Sequence, residues 1–303
     1  MIHFPEIQAD IQPVYTKNDV ELSVLREDLL HPEISGNKYR KLKYNLYAFQ
    51  DGNFDSLLTF GGAYSNHIYA VAAAGKAFGI KTTGIIRGGE LYSKIDENPT
   101  LSFARDCGME FKFISREQYR LKDSSAFLTE LKTEFPSAYI LPEGGTNALA
   151  VKGCEEILGA HTTGFDYICC AMGTGGTISG VINSAAGHQT VLGFPGLKNG
   201  GFLEDEIKKY IHRTNYKLIT AFHFGGFGKI NSELIDFINN FKQNFGLTLD
   251  PVYTAKMAKG IDVLIENNYF TKNSKILMIH TGGIQGIAGM NQILKQKNKK
   301  LIK

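Results

Sequence analysis

The sequence predicts an α/β protein made of two three-layer α/β/α domains with mostly parallel sheets. Three observations carry this. Strand-like apolar runs alternate with helical stretches along most of the chain, as βαβ units and a parallel sheet covered on both faces require. Two runs, Ile168-Cys169-Cys170-Ala171-Met172 and Ile276-Leu277-Met278-Ile279, are almost wholly apolar, which suits strands buried on both sides. About ten strands in all are too many for one compact sheet of this kind, which divides them between two domains.

The elements follow in order. Residues 20–25 alternate and read as a strand. Tyr39, Leu42, Leu46 and Phe49 recur at helical spacing, so a helix begins near Lys38, with Ser35 or Asn37 available as its cap. Residues 56–60 form a strand that Gly61-Gly62 ends. Residues 68–78 are Ala-rich and helical, and Gly79 is placed to close that helix. Strands are expected at 82–86, 110–114 and 138–141, then at 167–172, 190–194, 218–222 and 275–280. Helices are expected at 178–186, 231–245 and 253–266. The chain shows no fixed-period repeat, low-complexity segment or Pro- or Ser-rich linker.

Composition excludes several classes. Of 303 residues, 43% are hydrophobic and 21% charged, which is ordinary for a globular protein and excludes general disorder. No run reaches the roughly 18 apolar residues of a membrane span. The first ten residues carry Glu6 and Asp10 and lack a basic start followed by an apolar stretch, so a cytoplasmic protein without a signal peptide is expected. A net charge of +3 gives no argument for nucleic acid. Cys107, Cys154, Cys169 and Cys170 form no Cys-x-x-Cys pair and read as reduced thiols. The eight histidines never fall at metal-ligand spacing, and no metal is expected. The tail 295–303 holds five lysines and reads as a solvated, frayed end. Glycine is the outlier: 33 residues, against about 7% in an average protein.

Those glycines lie at strand ends, where open α/β sheets bind ligands. Gly173-Thr174-Gly175-Gly176-Thr177 follows a buried strand and opens a helix. Backbone N–H groups, the helix dipole and two hydroxyls there suit a phosphate. No Gly-Lys-Ser/Thr follows, so it is no Walker loop. Position 178 is Ile, so it is no dinucleotide fingerprint either. A second strand runs into Gly61-Gly62-Ala63-Tyr64-Ser65-Asn66-His67, where Ser65 or Asn66 sits as an N-cap or presents polar groups at the ligand edge. A third turn, His280-Thr281-Gly282-Gly283, is weak by itself. In Ser35-Gly36-Asn37-Lys38-Tyr39-Arg40-Lys41, cations occupy the first helical turn, where the dipole opposes them. Three solvated charges is the plain reading. The functional one is a lysine with a lowered pKa whose neutral amine forms a Schiff base.

Together these segments resemble the 1-aminocyclopropane-1-carboxylate (ACC) deaminase and D-cysteine desulfhydrase family. These are fold-type II enzymes of pyridoxal 5′-phosphate (PLP), in the tryptophan synthase β-like superfamily. The resemblance covers nearly the whole chain. It runs through Arg26-Glu27-Asp28, Ser35 to Leu42, Gly61 to His67, Pro142-Glu143-Gly144-Gly145-Thr146-Asn147, Gly173 to Thr177, Asp250-Pro251-Val252-Tyr253-Thr254 and His280 to Gly283. It implies that Lys38 carries PLP, that Ser65 and Tyr253 assist catalysis, and that Asn66 bonds the cofactor's 3′-oxygen. Gly173, Thr174, Gly175, Gly176 and Thr177 would cradle the phosphate. Thr254 would face the pyridine nitrogen, and Thr281 would line the cofactor.

It further implies a large PLP-binding domain from residues 1–42 and 149–303, with a small α/β domain, 43–148, inserted. A homodimer acting on a small amino acid is expected, with neither nucleic acid nor membrane as partner. The implied activity is a PLP-dependent deaminase or lyase. D-cysteine would give a 2-oxo acid, ammonia and sulfide; the alternative, ACC, would give 2-oxobutyrate and ammonia. Racemisation or β-replacement is an enzymatic rival. A non-catalytic phosphate-ligand-binding protein is the rival of another class, and it has no use for Lys38. Two departures favour elimination over ring opening. Thr254 stands where the deaminases have a glutamate, and Phe227, in Gly225 to Asn231, stands where they have a tyrosine.

Overall fold

The computed structural model describes residues 2–198 and 200–303. It contains two sheets. The first, in the order β5-β4-β3-β6, is all parallel: β3 is Ser56–Gly61, β4 Lys81–Arg87, β5 Glu110–Ile114 and β6 Ala138–Leu141. The second, in the order β1-β2-β10-β7-β8-β9, comprises β1 Ile11–Lys17, β2 Val20–Leu25, β7 Tyr167–Met172, β8 Thr190–Pro195, β9 Tyr216–Leu218 and β10 Lys275–Ile279. It is parallel except for β1, which pairs antiparallel with β2.

That hairpin is not among the expected elements. Asn18 and Asp19 both take positive φ, the two-residue turn that suits a right-twisted hairpin. β1 is an edge strand carrying Pro13 and a bulge between Pro13 and Tyr15, which breaks its alternation. β9 ends at Leu218, where the expected strand begins.

Burial explains the apolar runs. In β7, Ile168, Cys170 and Met172 enter one hydrophobic cluster while Cys169 and Ala171 enter another across the sheet. In β10, Leu277 and Ile279 share the first cluster, and Ile276 and Met278 the second. A period of two with both faces covered leaves no polar position. Each large side chain so buried contributes on the order of 1.5–3 kcal/mol.

Helices cover the sheets: α1 Asn37–Asp51, α2 Asn66–Phe78, α3 Pro99–Asp106, α4 Arg116–Arg120, α5 Ser125–Glu134, α6 Ala148–Cys154, α7 Gly176–Ser184, α8 Leu203–Lys208, α9 Ser232–Phe245, α10 Thr254–Glu266 and α11 Gly286–Gln296. No helix among the described residues is long and apolar enough to cross a membrane.

The C-terminal tail is not frayed. Asn291 bonds both the N–H and the carbonyl of Ile302, Asn239 bonds Leu301 and Lys303, and Ile302 is buried. The lysines stay solvated while the two apolar residues between them anchor the chain.

Candidate active site

Most motifs singled out in the sequence follow a strand's carboxyl end, Asp250 to Thr254 instead opens α10, and the structure joins them. Asn37 Nδ2 donates to Thr177 Oγ1 at 2.7 Å, tying the start of α1 to the start of α7. The Asn37 N–H reaches the Thr281 carbonyl at 3.3 Å. A Cβ on Gly36 would stand 2.0 Å from that same oxygen, so only glycine allows this approach. A Cβ on Gly283 would meet Asn66 Nδ2 at 2.7 Å and Asp250 at 3.2 Å, and Gln285 Nε2 donates to Asn66 Oδ1 at 2.9 Å. A Cβ on Gly173 would lie 3.0 Å from the Tyr253 hydroxyl. Turns after β2, β3, β6, β7 and β10, with the start of α10, thus close on one place.

Two lysines converge there. Lys38 Nζ and Lys41 Nζ donate to the same acceptor, the Gly144 carbonyl, at 3.1 and 3.0 Å. Lys41, 2% exposed, also donates to Thr146 Oγ1 at 2.9 Å and reaches Thr174 Oγ1 at 3.5 Å. Enclosure and the Lys41 charge push the Lys38 amine well below its usual range. That favours the neutral, nucleophilic form.

Beside them stands the Gly173 to Thr177 loop. The first α7 acceptor is the Gly175 carbonyl, taken by the Ser179 N–H, so the amides of Gly176, Thr177 and Ile178 have no intrahelical partner. Gly175 takes φ +86°, and a Cβ there would meet Ile207 at 2.9 Å.

Ser65 caps α2, accepting from the N–H groups of His67 and Ile68 at 3.2 and 3.3 Å, which leaves its own proton free. His67 is buried. Thr59 Oγ1 gives its proton to the Leu141 carbonyl at 2.9 Å, so His67 Nε2, 2.8 Å away, must donate to Thr59. His67 Nδ1 is then an unprotonated acceptor, buried and without a partner. Burial, with Lys38 and Lys41 nearby, keeps the ring neutral.

Thr254 is spent locally. Its Oγ1 accepts from the Asp250 N–H at 2.8 Å and donates back to Asp250 at 3.3 Å. The Asp250 carboxylate accepts the N–H groups of Val252, Tyr253 and Thr254. One lone pair of the Thr254 hydroxyl stays free, but not its proton. Thr281 is partly accessible at the edge of the site. Neither Ser35 nor Asn37 caps α1: Ser35 Oγ donates to the Asp28 carbonyl, and the N-cap is Gly36 without a side-chain bond. Arg26-Glu27-Asp28 frames the site without entering it. Arg40 grips Glu27 through two hydrogen bonds, and Arg26 grips Asp28 likewise.

Lys41 and Thr146 are the site residues that sequence reasoning passed over. Lys41 was visible only as one of three cations. Its partners lie more than a hundred residues away, and no local signal pairs them.

The family described as pyridoxal-phosphate dependent enzyme matches residues 10–194 of this chain. The chain belongs to that family. The enzyme is 31% identical over 303 residues to the Arabidopsis thaliana mitochondrial bifunctional D-cysteine desulfhydrase/1-aminocyclopropane-1-carboxylate deaminase, covering 89% of this chain and 74% of that protein. It is 30% identical to a putative 1-aminocyclopropane-1-carboxylate deaminase of Thermotoga maritima, covering 92% and 93%. It is 26% identical to the D-cysteine desulfhydrase of Yersinia enterocolitica, covering 87% and 86%. A crystal structure of an ACC deaminase homologue superposes with a TM-score of 0.81 at 26% identity, over 96% and 94% of the two chains. PLP is therefore the enzyme's cofactor. The residues present fit it: a lysine held toward neutrality, a second buried cation beside unpaired amides and hydroxyls, and an orphaned buried acceptor.

Proposed function

We propose that the enzyme is a deaminase or lyase of small amino acids, preferring β-elimination from D-cysteine or a similar β-substituted amino acid. Pyruvate, ammonia and sulfide are the products. The observation that carries this is the convergence of Lys38 and Lys41 on the Gly144 carbonyl, beside the open amides of α7.

In this reading Lys38 would carry PLP covalently. Lys41, Thr174 and the amides from Gly173 to Thr177 would hold its phosphate. Asn66, Thr254 and Thr281 would line its ring. When bound, the cofactor supplies an electron sink for charge developing at the substrate's α carbon. The chain supplies the proton traffic. Lys38 Nζ, pushed toward its neutral form by burial and Lys41, takes a proton at that carbon. The Ser65 hydroxyl, capping α2 through its lone pairs, retains a proton to give. The Tyr253 phenol is kept protonated by burial and by Asp250, so it acts as a donor. Lys41 offsets phosphate charge away from water.

ACC deamination is the second reading, favoured by the Thermotoga and Arabidopsis relatives. ACC has no ordinary leaving group, and opening its ring asks for more positioned hydroxyls. Phe227 offers none, and the Thr254 proton is spent. One lost acid or base group typically costs about 10²–10⁴-fold in rate. Measuring kcat/KM for both substrates on one preparation, by 2-oxo acid release, tests the preference. We expect D-cysteine to lead by about 10²-fold, and a higher value for ACC overturns it.

The domain division at 1–42 with 149–303, and 43–148, a homodimeric state and a cytoplasmic location belong to the same proposal. The free cysteines, three of them buried, are compatible with that compartment.

A further inference from the structure

Outside the cofactor region one buried charge has no role in this chemistry. Lys256 lies in the first turns of α10, three residues after Tyr253, and is 1% exposed. Its ammonium donates to three carbonyls: Gly226 at 2.7 Å, His223 at 3.0 Å and Gly196 at 3.4 Å. Three N–H groups meet three acceptors, so the cation is fully satisfied. Two of the acceptors belong to an irregular loop, 223–228, in which Phe224, Gly225, Gly226 and Gly228 all take positive φ. That backbone turns its carbonyls inward, onto the lysine. The third acceptor, Gly196, follows β8, and a Cβ there would stand 3.0 Å from the Tyr253 ring.

Phe227 rides on this loop. Its ring centroid is 6.1 Å from that of Tyr253, yet the side chain is 54% exposed. Packing alone does not hold a ring so exposed; its position is inherited from the loop backbone. An apolar residue at 256 would remove a charged donor from all three carbonyls, leaving Gly196 without it and His223 and Gly226 held only by the turn N–H groups of Gly226 and Lys229. We propose that Lys256 is a positioning residue: it clamps the 223–228 loop to the Gly196 turn and so fixes the Phe227 wall of the substrate site against Tyr253.

The inference rests on the proposed reading, in which Tyr253 and Phe227 face the substrate. Its test separates the two. Lys256→Met and Lys256→Gln are made in the PLP-loaded enzyme, alone and with Phe227→Ala. Hydrogen exchange of the 223–228 amides is measured with them. Exchange there is expected to rise at least tenfold in Lys256→Met and less in Lys256→Gln, with the cofactor's visible absorption unchanged. With D-cysteine, KM is expected to rise more than kcat falls. A displacement of about 1 Å can cost on the order of 10²-fold in kcat/KM. In the Phe227→Ala background the Lys256→Met loss should largely vanish, because both act through one wall. Unchanged exchange, or losses that simply add, overturns the clamp. If the parent enzyme leaves D-cysteine untouched, the substrate reading fails while the exchange measurement still decides the clamp.

Discussion

The starts of α1 and α2 lie at the same site and are built by opposite rules. α2 opens conventionally: Ser65 caps it, apolar residues follow, and it closes on Gly79 in the left-handed region. α1 opens against local preference. Its N-cap is Gly36 at φ +62° with no side-chain bond, and its first turns carry Lys38, Arg40 and Lys41. The side chains that could cap that end, and the cations that its dipole opposes, are all sent elsewhere: Ser35 to Asp28, Asn37 to Thr177, both lysines to Gly144. On the proposed reading, the difference separates a helix that holds the fold from one that the fold holds to present chemistry. A local rule broken this often marks function more reliably than any single residue does.

Removing Lys38 breaks the comparison most severely. Lys38→Ala should abolish the visible absorption of bound PLP that borohydride otherwise eliminates, and turnover should fall at least about 10⁴-fold. Stability should hold or rise, because an amine whose charged form burial and Lys41 disfavour is gone. Absorption spectra and thermal melts on one preparation check both halves. A surviving absorption band would move the covalent role to Lys41.

Ser65 sharpens the comparison, because it serves both rules at once. Ser65→Ala removes cap and hydroxyl together, and should cost about 1 kcal/mol of stability besides activity. Asparagine caps as well as serine does but offers no hydroxyl. Ser65→Asn should therefore melt like the parent while kcat falls by about 10²-fold. If stability and activity fall together in both variants, Ser65 is a cap and nothing more.

How much of this was legible in the sequence follows the same division. The conventional elements were readable because their signals are local: the Ala-rich α2 with its glycine stop, the apolar β7 and β10, the Gly-rich turns. The five segments read from the chain that carry glycine or lysine, Ser35 to Leu42, Gly61 to His67, Pro142 to Asn147, Gly173 to Thr177 and His280 to Gly283, do meet. β1 escaped because a proline and a bulge erase its alternation, although the Asn18-Asp19 turn announces it. The tail was misread because five lysines outweigh one Ile302. Lys256 was not readable at all, and Lys41 only as one of three cations in its motif. Within helices both look like solvated surface, and what makes them special is a set of carbonyls and hydroxyls brought from elsewhere in the chain. The Thr254 hydroxyl shows the converse: the sequence offers it as a candidate, but not that Asp250 already uses its proton.

Lys256 extends the comparison to pH. Burial lowers its pKa from 10.5 to about 8, against a partial offset from Asp250. Above about pH 8 the folded enzyme loses that proton, while the unfolded chain keeps it until 10.5. Between these values the unfolded state binds more protons, so this group makes stability rise with pH. The clamp moves the other way, since a neutral amine has two N–H donors for three carbonyls. The charged and titratable groups around it are Asp250 and Tyr253 on its own stretch, His223 and Lys229 on the loop, and Lys198 on the Gly196 turn. Taking the parent against Lys256→Met cancels most of their titration. In that difference, KM should worsen above about pH 8 while thermal stability improves. Both moving in one direction would contradict the assignment.

The smallest expected effect lies at the ordinary end of α2. Gly79 and Gly36 both take positive φ, but a Cβ on Gly79 would meet nothing within 4 Å, whereas one on Gly36 would press into the Thr281 carbonyl. Gly79→Ala therefore carries only the backbone cost of an L-residue in the left-handed region, about 1 kcal/mol. In a chain of this length that amounts to a few degrees of melting temperature at most. Cofactor absorption, kcat and KM should be unchanged. A measurable change in KM would mean that the C-terminal end of α2 communicates with Ser65 at its start, and that the conventional helix is not a passive scaffold.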